Sequence, residues 1–278
     1  MNSKRITRND KQKASILVCR SLIVFSLLFT VLRFRLYADA LLAENQSRFG
    51  VITGDVGLLS QGAREWIVPH EGLPIEVGDH IRTGEDGQVE IIVSQNALWM
   101  LRPGTDIVME HTETNAGQLD ISQGVLLGKV DSGRVAAAQH WEFNTPTAVC
   151  AVRGTEFAID VPQKQESHLG VFEGNVEMRP AEGASGEFPP VRVPTGQEGV
   201  LQRGKTIKLL KKFSPVLQQP YKDRILVEEA LARNQRTWSP YTHDVRQELR
   251  RRFVAPVEPP HHSVPPPARE QSHHESKS

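Results

Sequence analysis

The sequence predicts an all-β body, a sandwich, barrel or short β-solenoid, followed by a short basic helical segment. Three observations carry that prediction. Residues 50–180 break into apolar or alternating runs four to seven residues long, separated by glycine, proline and Asp/Asn turn signals. No helical periodicity in that stretch outlasts about two turns. The 278-residue chain also holds 21 Gly and 18 Pro against an apolar content of 38%, a turn-rich composition.

Residues 1–40 read as an address. Lys4, Arg5, Arg8, Lys11, Lys13 and Arg20 form a positive n-region, residues 21–32 an apolar core, and Ala38-Asp39-Ala40 a small-residue cleavage site. That core is too short to cross about 30 Å of hydrocarbon comfortably. The expectation is a secretory signal peptide cut after Ala40, with an uncleaved inner-membrane anchor as the alternative. Either one places the rest of the chain in the periplasm or otherwise outside the cytoplasm, away from nucleic acid.

The body follows at residues 50–180. Strands are predicted over 88–93, 97–101, 117–122 and 125–130, punctuated by Gly84-Glu85-Asp86-Gly87, Arg102-Pro103-Gly104 and Glu173-Gly174-Asn175. At its centre lies Phe143-Asn144-Thr145-Pro146-Thr147-Ala148-Val149-Cys150-Ala151-Val152-Arg153-Gly154-Thr155-Glu156-Phe157-Ala158-Ile159-Asp160-Val161, two strands hinged at Arg153-Gly154. Residues 148–152 are continuously apolar, as burial on both faces demands. Beyond the hinge Phe157, Ile159 and Val161 share one face, and Glu156 and Asp160 the other. Gly154 permits a positive φ or a close approach. Trp66, Trp99, Trp141, Phe143, Phe157 and Phe172 are the predicted aromatic core. A β extension, residues 181–212, adds 191–193 and 199–201, the latter paired with 206–209 across Arg203-Gly204-Lys205.

The character changes at residues 213–254. Helices are predicted over 221–234 and 239–253, the second with Pro240 in its first turn. Val245, Leu249 and Phe253 stack on one face of it. Arg246, Arg250, Arg251 and Arg252 fill the rest and are the residues expected to face a partner. Residues 255–278 form a Pro- and His-rich tail without the apolar content to pack, predicted disordered. Its His261-His262 and His273-His274 pairs are read as solvated.

The net charge of zero conceals segregation. Residues 41–180 hold 20 Asp+Glu against 9 Lys+Arg, a balance of −11, and residues 203–252 hold 13 Lys+Arg against 5 Asp+Glu, a balance of +8. Such a pattern means either that the basic segment docks on the acidic body or that it is offered to anionic partners. Of the two cysteines, Cys19 lies in the leader and Cys150 in the apolar run, where it reads as a small buried hydrophobe. No HExxH, GxSxG, phosphate-binding glycine loop or Cys/His zinc spacing occurs. No catalytic residue, cofactor or metal is therefore expected.

Several spaced motifs together resemble the FecR domain family. They are Gly78-Asp79-His80-Ile81-Arg82-Thr83-Gly84, Gly87-Gln88-Val89-Glu90-Ile91, Leu101-Arg102-Pro103-Gly104-Thr105-Asp106-Ile107 and Leu119-Asp120-Ile121-Ser122-Gln123-Gly124-Val125. Thr145-Pro146-Thr147-Ala148-Val149, Val152-Arg153-Gly154-Thr155-Glu156-Phe157 and Val171-Phe172-Glu173-Gly174-Asn175-Val176 complete the pattern. The resemblance implies an all-β, non-enzymatic, extracytoplasmic domain used in envelope sensing and regulation. Residues 1–20 leave no room for a cytoplasmic anti-sigma segment, so a member without that segment is expected. Its motif residues carry structure: Gly154 geometry, Arg153 a paired charge on the acidic surface. The expected function is binding, signalling or scaffolding with an envelope protein partner, and the alternative is a carbohydrate- or peptidoglycan-binding module. A membrane is met only through an uncleaved leader.

Overall fold

A computed structural model describes residues 45–112, 116–131, 140–163, 166–183 and 188–254. The predicted signal peptide, residues 1–40, and the predicted tail, residues 255–278, both fall outside the described residues. Fifteen strands are described. They run β1 (Arg48–Thr53), β2 (Val56–Leu59), β3 (His80–Thr83), β4 (Gln88–Ser94), β5 (Ala97–Leu101), β6 (Asp106–Thr112) and β7 (Ala116–Val130). They continue with β8 (His140–Asn144), β9 (Ala148–Val152), β10 (Glu156–Gln163), β11 (Glu166–Glu173), β12 (Asn175–Pro180), β13 (Val191–Pro194), β14 (Glu198–Gln202) and β15 (Lys208–Leu210). Two helices follow, α1 (Pro215–Thr237) and α2 (His243–Phe253). The all-β prediction with a short helical segment holds.

The strands pair into two layers that share β7. The first runs β1-β4-β5-β7-β10-β11-β14-β15, the second β2-β3-β6-β7-β8-β9-β12-β13. Only β7 with β8 is parallel among the described pairs. The predicted strands 117–122 and 125–130 are one element. Its first half pairs with β6 and β8, its second half with β5 and β10. The change of layer falls at Gly124, with φ +93°, where a Cβ would lie 2.4 Å from Thr105 Cα.

The Arg153-Gly154 hinge is the second crossing. β9 pairs with β8 and β12, β10 with β7 and β11, so the hinge carries the chain from one layer to the other. Gly154 takes φ +60°, as the turn requires. Between the layers sits one continuous core. Trp99 and Phe157 from the first layer meet Trp141 and Phe143 from the second, with centroids 5.1–5.9 Å apart and rings tilted or edge-on. All four are fully buried. Such aromatic pairs add ~0.5–1.5 kcal/mol each beyond their buried area.

Two of the six predicted core aromatics lie elsewhere. Trp66 is half-buried outside the second layer, under the Arg82 guanidinium at 3.9 Å and beside His80. Phe172 packs outside the first layer against Phe213 and Tyr221. Both were expected inward because strand spacing marks an aromatic without saying which surface covers it.

Candidate functional site

The outer faces of the two layers differ. On the first, Leu98, Met100, Leu127 and Ala158 form an apolar stripe, and α1 lays Leu217, Val227, Ala230 and Leu231 on it. Gly170 makes room: a Cβ there would come within 2.8 Å of Leu217 Cδ1. Charges rim this seat. Arg233 bonds Glu90 at 2.6 Å, Arg102 meets Asp223 at 3.0 Å, and Lys129 lies 3.7 Å from both Glu156 and Glu228. The acidic body and basic segment therefore dock on each other. The α1 residues left outward include Tyr221, Ile225 and Leu226, which are 41%, 50% and 37% exposed.

Helix α2 inverts the predicted orientation. Val245 and Phe253 are exposed, and Arg246 is the one residue of this helix that is buried. Arg246 donates to the carbonyls of Ser47 (2.9 Å) and Ile75 (2.8 Å) and to Glu76 (2.6 Å). One turn on, Arg250 donates to both oxygens of Asp79 (2.7 and 2.9 Å), to the Pro74 carbonyl and to Ser60 Oγ. These two arginines do not face a partner, correcting the expectation. Their forked guanidiniums suit carbonyls and carboxylates already buried in the body, and spacing of four residues puts both on one side. Arg251 and Arg252 do stay exposed, Arg251 beside Glu248 and Arg252 over the Phe253 ring.

Asp79 is wholly buried. Burial pushes its pKa up, and the Arg250 hydrogen bond and charge pull against that. Burial likewise lowers the Arg246 pKa, opposed by Glu76. Between the helices, Arg48 is held between the rings of Trp238 (4.4 Å) and Tyr241 (4.5 Å).

A second buried polar cluster sits at the start of α1. Glu198, wholly buried, accepts from His168 Nδ1 at 2.7 Å, from the Ser214 amide at 2.6 Å and from Ser214 Oγ at 2.9 Å. A carboxylate at a helix N-terminus is favourable, and Pro215 gives up no needed amide there. Burial alone lifts Glu198, but the His168 and Ser214 hydrogen bonds outweigh it and hold it below the ordinary carboxylate value. His168 is raised: burial lowers it, and the Glu198 hydrogen bond with the charges of Glu198, Glu166 and Asp160 overcomes that. Asp160, cross-strand from His168, is pushed up by burial to about 6, against the pull of His168.

The remaining motif residues are structural in placement. Thr83 Oγ1 donates to the Arg102 carbonyl at 2.7 Å and accepts from the Thr105 amide, tying β3 to the exposed Pro103 turn. Gly84 packs against Asp55. Thr145 and Thr147 share hydrogen bonds with Ser167, beside Pro146. Thr155 is buried, and Gly174 (φ +85°) closes on its Cγ2, leaving Glu173 exposed near Lys129. Arg153, expected to pair with an acidic neighbour, is exposed and makes no ion pair among the described residues, because the hinge turns it away from both layers. Cys150 is buried, its thiol pushed up to about 12, as a small hydrophobe would be.

Among the described residues, no three His, Cys, Asp or Glu side chains are grouped to hold a metal ion, and no helix is long and apolar enough to cross a membrane. Among the described residues, α1 covers the first layer, and the outer face of the second carries Trp66, His80, Arg82, Asp106 and Glu142.

These features define a two-layered β domain clasped by its own carboxy-terminal helices. Residues 79–177 match the family model described as FecR protein, so that stretch is a FecR-like domain. No curated protein matches the sequence. Two crystal structures of a candidate anti-sigma factor from Parabacteroides distasonis ATCC 8503 are similar at 16% identity, with TM-scores of 0.39 and 0.38. The match covers 51% of this chain and 62% of that one, less than two thirds of its length.

Proposed function

We propose that this chain is a non-enzymatic binding and signalling adaptor of the bacterial cell envelope, working in the periplasm on a protein partner. The FecR-like stretch supports the regulatory class. The observation that carries the binding role is the outward apolar pair Ile225 and Leu226 on α1, flanked one turn earlier by the Tyr221 edge left exposed beyond its ring contacts with Phe172 and Phe213, although the opposite face of the same helix is packed. Apolar side chains grouped on a rigid surface mark an interaction site. The test is photo-crosslinking in living cells from position 225, with position 177 on the open second layer as control. An adduct with an envelope protein from 225 alone is expected. No adduct, or a chain that fractionates with cytosolic markers, removes the reading.

A second reading, a carbohydrate- or peptidoglycan-binding module, is favoured by the open polar face around Trp66, where Arg82, His80 and the His80–Asp106 bond (2.6 Å) lie together. Cosedimentation with purified cell wall decides it. A chain that stays in the supernatant is not a wall binder.

A further inference from the structure

The polar hold on helix α2 comes from two guanidiniums, those of Arg246 and Arg250. The atoms that accept them, the carbonyls of Ser47, Pro74 and Ile75, the carboxylates of Glu76 and Asp79 and Ser60 Oγ, belong to the body and stand ready whatever helix lies over them. Asp79 keeps an amide from Glu76 at 2.9 Å, so the socket has its own support. Apolar packing is confined to the end of the helix: Val245 and Phe253 are exposed, Phe253 meets the edge of the His70 ring, and Val254, just past the last turn, packs partly buried against the main core. An 11-residue helix is marginal in water without tertiary contacts, so a departure of α2 from the body would be a local unfolding. The Arg48–Trp238–Tyr241 stack meanwhile holds the chain just before it.

We infer that this site is a two-arginine socket, that α2 plugs it in cis, and that it receives a helix of another protein presenting two arginines four residues apart. The surface is separate from the α1 row, so either can fail alone. Selectivity follows from Asp79: a buried carboxylate without a counter-charge is costly, and a forked guanidinium satisfies both its oxygens. Regulation follows from the tether. A plug on a short linker competes at millimolar effective concentration, so a partner enters when the plug is weakened.

The probe is a labelled peptide of residues 239–254, titrated by fluorescence anisotropy into the full chain and into its Arg246→Gln/Arg250→Gln variant. The variant should bind about tenfold or more tightly than the wild type. Binding should weaken with added salt and vanish for a peptide carrying both glutamines or when Asp79→Asn is added. A variant that retains native circular dichroism yet takes up no peptide, or takes up both peptides alike, overturns the socket. Should the variant not fold, hydrogen exchange on the wild type decides. Amides of 243–253 should open ahead of those in α1 and faster with excess peptide; exchange only through global unfolding sinks the plug. Light scattering separates the source. A wild-type dimer that the double substitution abolishes would assign the socket to a second copy and overturn the foreign partner.

Discussion

Helices α1 and α2 leave the same basic segment and dock on the same body by opposite means. α1 buries Leu217, Val227, Ala230 and Leu231 on an apolar stripe and keeps its charges at the rim. α2 buries Arg246, seats Arg250 beside it, and leaves Val245 and Phe253 in solvent. The difference teaches that an amphipathic pattern names two faces without saying which goes inward. The receiving surface decides: hydrocarbon under α1, carbonyls and carboxylates under α2. It also sets how each attachment responds to conditions. Apolar contact is not screened by salt, whereas charge pairs weaken as salt screens them, and least where buried.

The largest effect should come from the apolar seat. Leu217→Ala removes a fully buried side chain and leaves a cavity beside Gly170, a loss of about 2–4 kcal/mol. Chemical denaturation of the full chain should show it equally at low and high salt. A strongly salt-dependent loss would mean that the rim charges hold α1, and the contrast would fail.

Next comes the charged seat. Arg250→Gln leaves Asp79 without its counter-charge, but α2 can lift and admit water, so the cost should be about 1–3 kcal/mol, below the limit for a buried pair that stays dry. Adding Asp79→Asn should recover part of it in a double-mutant cycle. Purely additive losses would show that the two side chains are not coupled.

A third test sharpens the comparison where α1 itself turns polar, at Glu198 and its neighbours. Asp160 binds its proton more tightly folded than unfolded, so its contribution to stability is present below its ordinary value of 3.8 and is lost as pH rises to about 6. Glu198, held low, works the other way, its contribution being lost as pH falls through its folded value. Asp160→Asn should therefore stabilise by about 1–2 kcal/mol at pH 8 and by almost nothing at pH 4, part of the gain offset by the lost attraction to His168. Melting temperatures at the two pH values check it. An equal shift at both would place the effect in packing.

Much of this architecture was legible in the residues. The apolar run of β9, the alternation of β10 and the four central aromatics followed from period and composition alone, because each is a local property of a buried strand. The pairing of β14 with β15 followed from turn chemistry. The continuity of β7 was not legible, since the run breaks in sequence before Gly124, whose positive φ the strand accommodates as it changes layer. The inward arginines were missed because their partners lie about 170 residues away, at Glu76 and Asp79, and a basic row looks solvated without knowledge of what covers it. The spacing of Arg246 and Arg250 was the one available signal. His168 and Glu198 were hidden likewise, 30 residues apart until β11 and β14 pair.

The smallest expected change in stability is the most informative for function. Ile225 is half exposed on the outer side of α1, opposite the packed stripe. Ile225→Asp removes no core contact and keeps the helix, so stability should move by no more than about 0.5 kcal/mol. The same change puts a charge in the middle of the proposed contact, where burial by a partner would leave it unpaired. Crosslinking from the neighbouring position 221 should then fall sharply while the melting temperature stays put. A stable variant that still forms the adduct would mean that α1 only seals the first layer, and the search for the partner surface would move to α2 or to the open face around Trp66.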